Sequence, residues 1–264
     1  MARVRADLLV QRRGLAESRA KAQALILAGE IVSGEHRVDK PGQLLPEDAV
    51  LRKKGGAPGS PEAEASRYVS RGGVKLAHAL EKFGLDPKGL VCVDLGASTG
   101  GFTDVLLQRG AIKVYAVDVG RGQLHPRLAA DSRVVSREKV NARSLSAEVL
   151  GEQCGAAVAD LSFISLRLVL PALVSLLLPG AFCVVLVKPQ FEAGRAEVGK
   201  GGVVKDPLVH ARVVDEVCAE LARLGLEVLG RDASPLLGPA GNREFVVGAR
   251  LPGAQAQGRR PATG

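Results

Sequence analysis

The stretch that decides the fold reads Leu90-Val91-Cys92-Val93-Asp94-Leu95-Gly96-Ala97-Ser98-Thr99-Gly100-Gly101-Phe102-Thr103. Its apolar first half predicts a buried strand, and residues 104–108 after the glycines predict a helix. Glycine is needed where the backbone bends sharply and approaches a ligand without a Cβ, as at Gly96, Gly100 and Gly101. The order of strand, tight turn and helix therefore predicts an α/β fold with a Rossmann-like sheet that binds a ligand at the turn.

The glycine turn differs from the common phosphate-binding turns. No Gly-Lys-Ser/Thr follows it, and Ser98 occupies the position where G-x-G-x-x-G has its second glycine. A second strand over Lys113–Asp118 ends in a carboxylate that can accept hydrogen bonds from both ribose hydroxyls, although a turn or N-cap role suits Asp118 equally well. Together these features favour S-adenosylmethionine as the cofactor. Its predicted contacts are Asp94, Gly96, Ala97, Ser98, Thr99, Gly100, Gly101, Phe102, Asp118 and Asp160.

Four charged residues stand at the edges of predicted elements, namely Lys75, Asp160, Lys188 and Glu244. Asp160 and Lys188 each follow an apolar run and Glu244 precedes one, which is where an open α/β sheet places its ligands. Two lysines and two carboxylates that converge beside a cofactor turn form a site for removing a proton. The alternative is that the four make surface salt bridges, which would be the preferred interpretation of any one of them alone.

The N-terminal fifth of the chain is a basic module. Residues 3–54 carry eleven Lys or Arg and seven Asp or Glu, so they hold half of the net charge of +8. A helix is expected to begin at Ser18 as its N-cap, and a hairpin to follow between Gly29 and Gly34. This order resembles the alpha-L RNA-binding module, with Val32-Ser33-Gly34 where that family usually has Val-Asn-Gly; the alternative is a solvated basic face on an unrelated helical cap. The resemblance implies RNA contacts from Arg5, Arg12, Arg19 and Lys21.

Composition narrows the class of protein and its partners. The positive charge favours a polyanion, with nucleic acid ahead of anionic lipid. The four cysteines lack C-x-x-C spacing, which indicates neither disulfides nor zinc and fits a reducing cytoplasm. No secretory signal is recognised at the N-terminus, so a cytoplasmic location is expected.

One uncharged stretch, residues 168–187, is about as long as the roughly 20 residues that span a bilayer. Pro179-Gly180 divides it. We interpret it as a buried helix, a turn and a buried parallel strand over 182–187, rather than as a membrane span. No stable membrane association is expected.

Five motifs together resemble the TlyA family of rRNA cytidine-2'-O-methyltransferases, historically also called haemolysins. They are Ser70-Arg71-Gly72-Gly73-Val74-Lys75-Leu76, Asp94 to Thr103, Asp160-Leu161-Ser162-Phe163-Ile164-Ser165-Leu166, Val187-Lys188-Pro189-Gln190-Phe191-Glu192 and Gly241-Asn242-Arg243-Glu244-Phe245. The catalytic part is also similar to the wider FtsJ-type 2'-O-methyltransferases, whose Lys-Asp-Lys-Glu set matches Lys75, Asp160, Lys188 and Glu244. The resemblance implies S-adenosylmethionine-dependent methylation of cytidine ribose in 16S and/or 23S rRNA, with rRNA or ribosomal subunits as partners and no metal.

The expected domains follow from these motifs and from a breaker-rich segment. Residues 55–65 contain repeated Gly, Pro and Ala without a period, which is typical of a linker. We expect an alpha-L RNA-binding domain over 1–54, a linker over 55–66, an FtsJ-like methyltransferase domain over 67–251 and a disordered tail over 252–264.

The chemistry gives each charged residue a role. A ribose 2'-hydroxyl must lose its proton as it attacks a sulfonium methyl group, so a base is required. The hypothesis is that Lys188 takes the proton, Asp160 and Glu244 orient that amine and the ribose, and Lys75 steadies the oxyanion or an adjacent phosphate. Phosphate contacts are also expected from Arg71, near a helix start, and from Lys200, in a glycine-rich loop. Phe163 either stacks on a flipped base or fills the core.

Other activities fit the sequence less well. An exocyclic-amine methyltransferase would carry Asn or Asp before Pro-Pro and an aromatic residue where this chain has Asp160-Leu161-Ser162-Phe163, and a cytosine-carbon enzyme would need a cysteine after that strand. A membrane-active haemolysin, a non-catalytic ribosome-assembly factor and a nicotinamide dehydrogenase remain as rivals. Release of dye from liposomes without binding of S-adenosylmethionine would favour the haemolysin, and a cofactor-binding titration separates out the dehydrogenase. The presence of Lys75, Asp160, Lys188 and Glu244 counts against the non-catalytic factor.

Overall fold

The computed structural model describes residues 3–34, 36–53, 64–238 and 241–253. The chain divides into two compact units, Met1–Arg67 and Tyr68–Gly264. Most of the expected linker over 55–66 and of the expected tail over 252–264 lies outside the described residues, so these two segments stay predictions.

Residues 3–34 and 36–53 of the N-terminal unit form two helices and two small antiparallel sheets. Its elements are β1 (Arg3–Arg5), α1 (Ala6–Arg12), α2 (Arg19–Leu27), β2 (Ile31–Ser33), β3 (His36–Arg37), β4 (Leu44–Pro46) and β5 (Leu51–Lys53). β1 pairs with β4, and β2 lies between β3 and β5. The Ser18 hydroxyl caps α2 by accepting a hydrogen bond from the Lys21 amide at 3.2 Å, which confirms the expected helix start. β2 and β3 confirm the expected hairpin.

A small core holds this unit together. Leu9 and Val10 of α1 and Ile26 of α2 pack with Ile31 of β2, and all four side chains are buried. Helices this short are only marginally stable on their own. Burial of one apolar side of each helix therefore stabilises them.

The second unit is built on a seven-stranded sheet. Its elements are α3 (Gly72–Lys82), β6 (Val91–Leu95), α4 (Gly101–Gln108), β7 (Lys113–Asp118), α5 (Pro126–Ala129), β8 (Val134–Glu138), α6 (Ala147–Leu150), β9 (Cys154–Ala159), α7 (Leu170–Ser175), β10 (Leu177–Val187), α8 (Pro189–Glu192), α9 (Pro207–Arg223), β11 (Glu227–Ala233) and β12 (Phe245–Arg250). The strand order is β11-β12-β10-β9-β6-β7-β8. Strands β10, β9, β6, β7 and β8 are parallel to one another. Strand β12 runs antiparallel to both of its neighbours.

Helices cover both faces of this sheet, which explains the continuous apolar runs in its strands. On one face Leu80 of α3 and Leu106 of α4 pack with Val184 of β10. On the other face Leu173 of α7 and Val217 of α9 pack in the cluster that contains Val185. This arrangement confirms the Rossmann-like α/β class and the small α+β unit before it.

The uncharged stretch over 168–187 contains α7 and β10, which confirms a buried helix followed by a parallel strand. The expected turn at Pro179-Gly180 is wrong, because β10 begins at Leu177 and runs through both residues. They lie where the register against β9 shifts, and Gly180 adopts a positive φ of 84°. Such an irregularity accommodates a proline that has no N–H for the ladder. Among the described residues, no helix has the length and apolar character to cross a bilayer.

Candidate active site

The Asp94 side chain stabilises the glycine turn after β6 through hydrogen bonds with Thr103. One carboxylate oxygen of Asp94 accepts hydrogen bonds from the amide (2.9 Å) and the hydroxyl (2.7 Å) of Thr103. The contact caps the first turn of α4, which begins at Gly101 and so three residues earlier than expected. Asp94 is fully buried, and this burial raises its pKa to about 7.

The ends of β6 and β9 are pressed together at Gly96. The Asp160 amide donates to the Leu95 carbonyl at 3.0 Å, and a Cβ on Gly96 would overlap the backbone oxygen of Asp160. Gly96 also has a positive φ of 83°. Both space and backbone conformation therefore require glycine at this position.

A cavity of about 560 Å³ opens beside this junction. Four predicted cofactor contacts line it: Gly96, Ser98, Asp118 and Asp160. The other six do not line it. Asp94, Ala97, Gly100, Gly101 and Phe102 are buried around the turn, and Thr99 is exposed elsewhere on it. These six shape the turn rather than the cavity surface.

Asp118 stands at the end of β7 with its carboxylate fixed by backbone donors. The Ser98 amide donates to one oxygen at 2.8 Å, and the Gly120 amide donates to the other at 2.6 Å. An ionised carboxylate has about four acceptor positions, so each oxygen retains capacity for a ligand hydroxyl. Asp118 is thus an oriented acceptor in the cavity wall.

The register of the sheet brings three of the four predicted catalytic residues to one edge. Val187 at the end of β10 pairs with Phe245 at the start of β12, so Lys188 and Glu244 lie immediately beyond this pair. Asp160 follows the last residue of β9, which is the neighbour of β10 in the sheet. The same edge carries the glycine turn after β6.

The four residues form two close ion pairs. Lys188 Nζ lies 2.6 Å from an Asp160 oxygen, and Lys75 Nζ, from α3, lies 2.5 Å from a Glu244 oxygen. Lys75, Lys188 and Glu244 are buried and Asp160 is partly buried. A buried lysine beside a carboxylate is not the solvated surface bridge of the alternative interpretation.

Phe163 is 92% exposed, so it does not fill the core. It lines the cavity, its backbone has a positive φ of 63°, and its ring centroid lies 5.2 Å from that of Phe191. A left-handed backbone is uncommon for a bulky residue and presents this ring to solvent at the mouth of the site.

Sequence reasoning missed most of the apolar cavity wall. The additional lining residues are Val117, Val119, Gly120, Gln123, Val140, Asn141, Ala142, Leu161, Ser162, Ile164 and Val169. Val119 and Leu161 directly follow residues at strand ends, which is the signal that could have found them. Asn141 and Val169 lie in loops whose positions the sequence pattern does not fix.

Two predicted RNA contacts of the N-terminal unit converge on a buried carboxylate. Arg5 Nη2 and Arg19 Nε lie 3.0 and 2.9 Å from the same oxygen of Asp7, to which Gln23 also donates at 2.8 Å. Hydrogen bonds from Arg5, followed by those from Gln23 and Arg19, hold the pKa of Asp7 well below its usual range. The two guanidinium groups are thereby fixed at the surface.

The remaining predicted RNA contacts are more loosely held. Arg12 lies 4.0 Å from Glu47, and Lys21 lies 3.8 Å from Glu17, both as exposed pairs. In the second unit, Arg71 donates to the Leu237 carbonyl at 3.1 Å, and Lys200 is exposed in the loop before α9.

Comparisons with known proteins agree with this architecture. The S4 domain model matches residues 4–51, and the FtsJ-like methyltransferase model matches residues 68–251. The 16S/23S rRNA (cytidine-2'-O)-methyltransferase TlyA of Mycobacterium tuberculosis is 48% identical over 94% of this chain and 90% of its own length.

Solved structures give the same result. A hemolysin-like protein from Streptococcus thermophilus superposes with a TM-score of 0.73 at 42% identity, covering 96% of this chain and 90% of its own. An S-adenosylmethionine-dependent methyltransferase from Mesorhizobium loti shares the fold of the second unit, with a TM-score of 0.50 at 16% identity over 66% of this chain and 96% of its own. The chain belongs to the TlyA family, in which an S4 domain precedes an FtsJ-like methyltransferase domain.

Proposed function

We propose that this protein uses S-adenosylmethionine to methylate the ribose 2'-hydroxyl of cytidine in ribosomal RNA. The observation that carries the proposal is the pairing of buried lysines with carboxylates at the sheet edge that also bears the glycine turn and the cavity. A ribose hydroxyl needs a base and charge stabilisation, and this edge offers groups for both.

The residues of the cavity fit the cofactor. Gly96 and Asp118 both line the cavity, and Asp118 offers oriented carboxylate oxygens for the two ribose hydroxyls. Ser98 lies between them on the cavity wall, and Asp160 closes the side nearest Lys188. S-adenosylmethionine, when bound, supplies an electrophilic methyl group on a sulfonium.

Lys188 is the proposed proton acceptor. Its amine lies against Asp160 at the cavity edge, so Asp160 orients it toward the position of the ribose. A lysine base must lose its own proton before each turnover. Lys75 is held by Glu244 and steadies the oxyanion or the adjacent phosphate, while the second oxygen of Glu244 is buried and accepts no hydrogen bond from the described residues.

Phe163 is proposed to stack on the target base once that base has left its helix. An exposed aromatic ring at the mouth of a site gains stacking energy with any base, and the Phe191 ring beside it supports its orientation.

The S4 domain is proposed to hold the RNA through phosphates. Arg5 and Arg19, fixed by Asp7, present planar donors in set directions, as bidentate phosphate contacts require. Cytidine as the target nucleotide rests on the similarity to the rRNA (cytidine-2'-O)-methyltransferase TlyA of Mycobacterium tuberculosis.

Methyl transfer to isolated subunits tests the proposal directly. Ribosomal subunits from cells that lack this protein are incubated with the protein and tritiated S-adenosylmethionine, and the labelled nucleotide is mapped. Label on a cytidine 2'-oxygen is expected. Label on a base, or no binding of S-adenosylmethionine by calorimetry, would overturn the proposal.

A further inference from the structure

Lys188 has a second partner besides Asp160. Its Nζ donates a hydrogen bond to the Ser162 hydroxyl at 3.0 Å, while the ion pair with Asp160 measures 2.6 Å. Lys188 is buried and is not among the described residues that line the cavity, whereas Asp160 and Ser162 both are. Both acceptors of the amine therefore belong to residues of the cavity wall.

One carboxylate does not by itself fix the direction of an amine. A lysine side chain has four rotatable carbon–carbon bonds, and its ammonium group can swing around a single acceptor. A second acceptor at a fixed position defines where the nitrogen points, because two short contacts restrict both its position and its rotation. A serine hydroxyl can accept from the lysine and still donate its own proton toward the cavity.

We propose that Ser162 is a positioning residue for Lys188, which holds the amine toward the cavity in the geometry needed to take the 2'-proton. The inference rests on the proposed function and goes beyond the Lys-Asp-Lys-Glu set.

The segment that carries Ser162 is anchored on both sides by contacts that do not involve its side chain. Before it, the Asp160 amide donates to Leu95. After it, the buried carboxylate of Glu192 accepts from the Ser165 hydroxyl at 2.6 Å and from the Leu166 amide at 2.7 Å. Removal of the Ser162 hydroxyl should therefore delete one hydrogen bond and leave the path of the backbone in place.

The test compares three variants of the full-length protein in steady-state methyl transfer to ribosomal subunits. Ser162→Ala deletes the acceptor, and Ser162→Thr restores a hydroxyl at an exposed position with room for a methyl group. Ser165→Ala is the matched control, since it deletes a hydroxyl from the same segment that contacts Glu192 and not Lys188. Circular dichroism verifies that each variant is folded.

We expect Ser162→Ala to lower kcat about tenfold, the effect of losing one hydrogen bond to a charged group. The KM for subunits and the Kd for S-adenosylmethionine should stay within about twofold of the parent values, because the interactions that bind substrate and transition state equally are unchanged. Ser162→Thr should recover most of the rate, and Ser165→Ala should stay within about threefold of the parent.

Three results would overturn the inference. The first is a Ser162→Ala variant as fast as the parent. The second is a loss expressed in KM alone, which would make Ser162 a substrate contact. The third is an equal loss in Ser165→Ala, which would assign the effect to the order of the segment. A parent protein that transfers no methyl group to a ribose would instead refute the proposed function, and the role of Ser162 with it.

Discussion

The two units use buried carboxylates in opposite ways. In the N-terminal unit the Asp7 side chain is 0% exposed, while its partners Arg5 and Arg19 are 44% and 47% exposed. In the second unit the cations are buried too: the side chains of Lys75 and Lys188 are only 9% and 10% exposed.

The first arrangement holds positive charge at the surface, and the second holds positive charge inside the protein beside an acid. A buried acid under exposed arginines fixes where positive charge meets solvent, which suits a polyanion that arrives from outside. A lysine buried with its acid lies in a lower dielectric, where proton transfer and orientation respond to each neighbour. The following predictions test that division, beginning with the largest expected effect.

Lys188→Ala should separate chemistry from binding most strongly. Loss of a general base typically costs about 10² to 10⁴ in rate, whereas affinity for S-adenosylmethionine should change by no more than about threefold. Single-turnover methyl transfer and calorimetry measure the two quantities. Lys82→Ala is the control, because that lysine is exposed and pairs with Asp232 at 3.4 Å. Substantial turnover by Lys188→Ala would contradict its role as base.

Glu244→Ala should destabilise the second unit. It leaves Lys75 buried without a partner, and breaking a buried pair in this way costs about 3–5 kcal/mol. Both tyrosines, Tyr68 and Tyr115, lie in this unit, so tyrosine fluorescence during urea unfolding reports on it alone.

Asp232→Ala is the matched comparison for Glu244→Ala. It removes a partly exposed acid that contacts His78 and Lys82, and it should cost no more than about 1 kcal/mol. Equal losses in the free energy of unfolding would show that burial of the Lys75 ion pair does not increase the cost of breaking it.

Asp7→Ala should loosen the N-terminal unit by about 1–3 kcal/mol, since Arg5, Arg19 and Gln23 lose their common acceptor. Amide hydrogen exchange in α1 and α2 measures this, because the unit contains no tyrosine. Glu47→Ala, which removes the exposed partner of Arg12, should leave exchange unchanged. If exchange is unaffected by Asp7→Ala, the arginines are not held by this carboxylate.

The contributions of Asp7 and Asp94 to stability should depend on pH with opposite signs. The pKa of Asp7 is lowered, so its contribution is present above the unfolded value of about 4 and is lost as the pH falls through the folded value. The pKa of Asp94 is raised to about 7, so the folded state binds its proton more tightly. The contribution of Asp94 to the free energy of unfolding should then fall as the pH rises from about 4 through 7.

Asparagine variants isolate these two contributions. Asp94→Asn keeps an acceptor for Thr103 without a titrating group, so the urea midpoint of the parent should fall relative to that of Asp94→Asn as the pH rises from about 4 to about 7. Asp7→Asn should differ from the parent at pH 6 and converge with it in acid, as followed by amide NMR signals of α2. A parallel response of the two units to pH would contradict the contrast between them.

Local sequence pattern predicted elements that depend on local contacts. The strand over Lys113–Asp118 was placed at its observed bounds, because its apolar residues lie between a glycine turn and an acidic end. The early start of α4 was missed, since it depends on a contact between Asp94 and Thr103. The local sequence predicts a turn at Pro179-Gly180. The strand continues there because it pairs with residues that are distant in sequence and accommodate the irregularity.

The candidate site was predictable as a set of residues but not as a set of pairs. The ends of the strands predict that Asp160, Lys188 and Glu244 lie on one edge of the sheet. The pairing of Lys75 with Glu244 depends instead on how α3 packs over β12. The outward direction of Phe163 comes from a left-handed backbone that its sequence gives no reason to expect. Whether these residues catalyse the reaction stays a prediction.

The lack of space between Gly96 and the Asp160 carbonyl has a consequence for engineering. A glycine loop grafted from another enzyme with any larger residue at position 96 would push the segment bearing Asp160 away from Lys188. The cavity wall at Gly96 and the ion pair of Asp160 with Lys188 are therefore mechanically joined at a single missing methyl group, and they must be transplanted as one block.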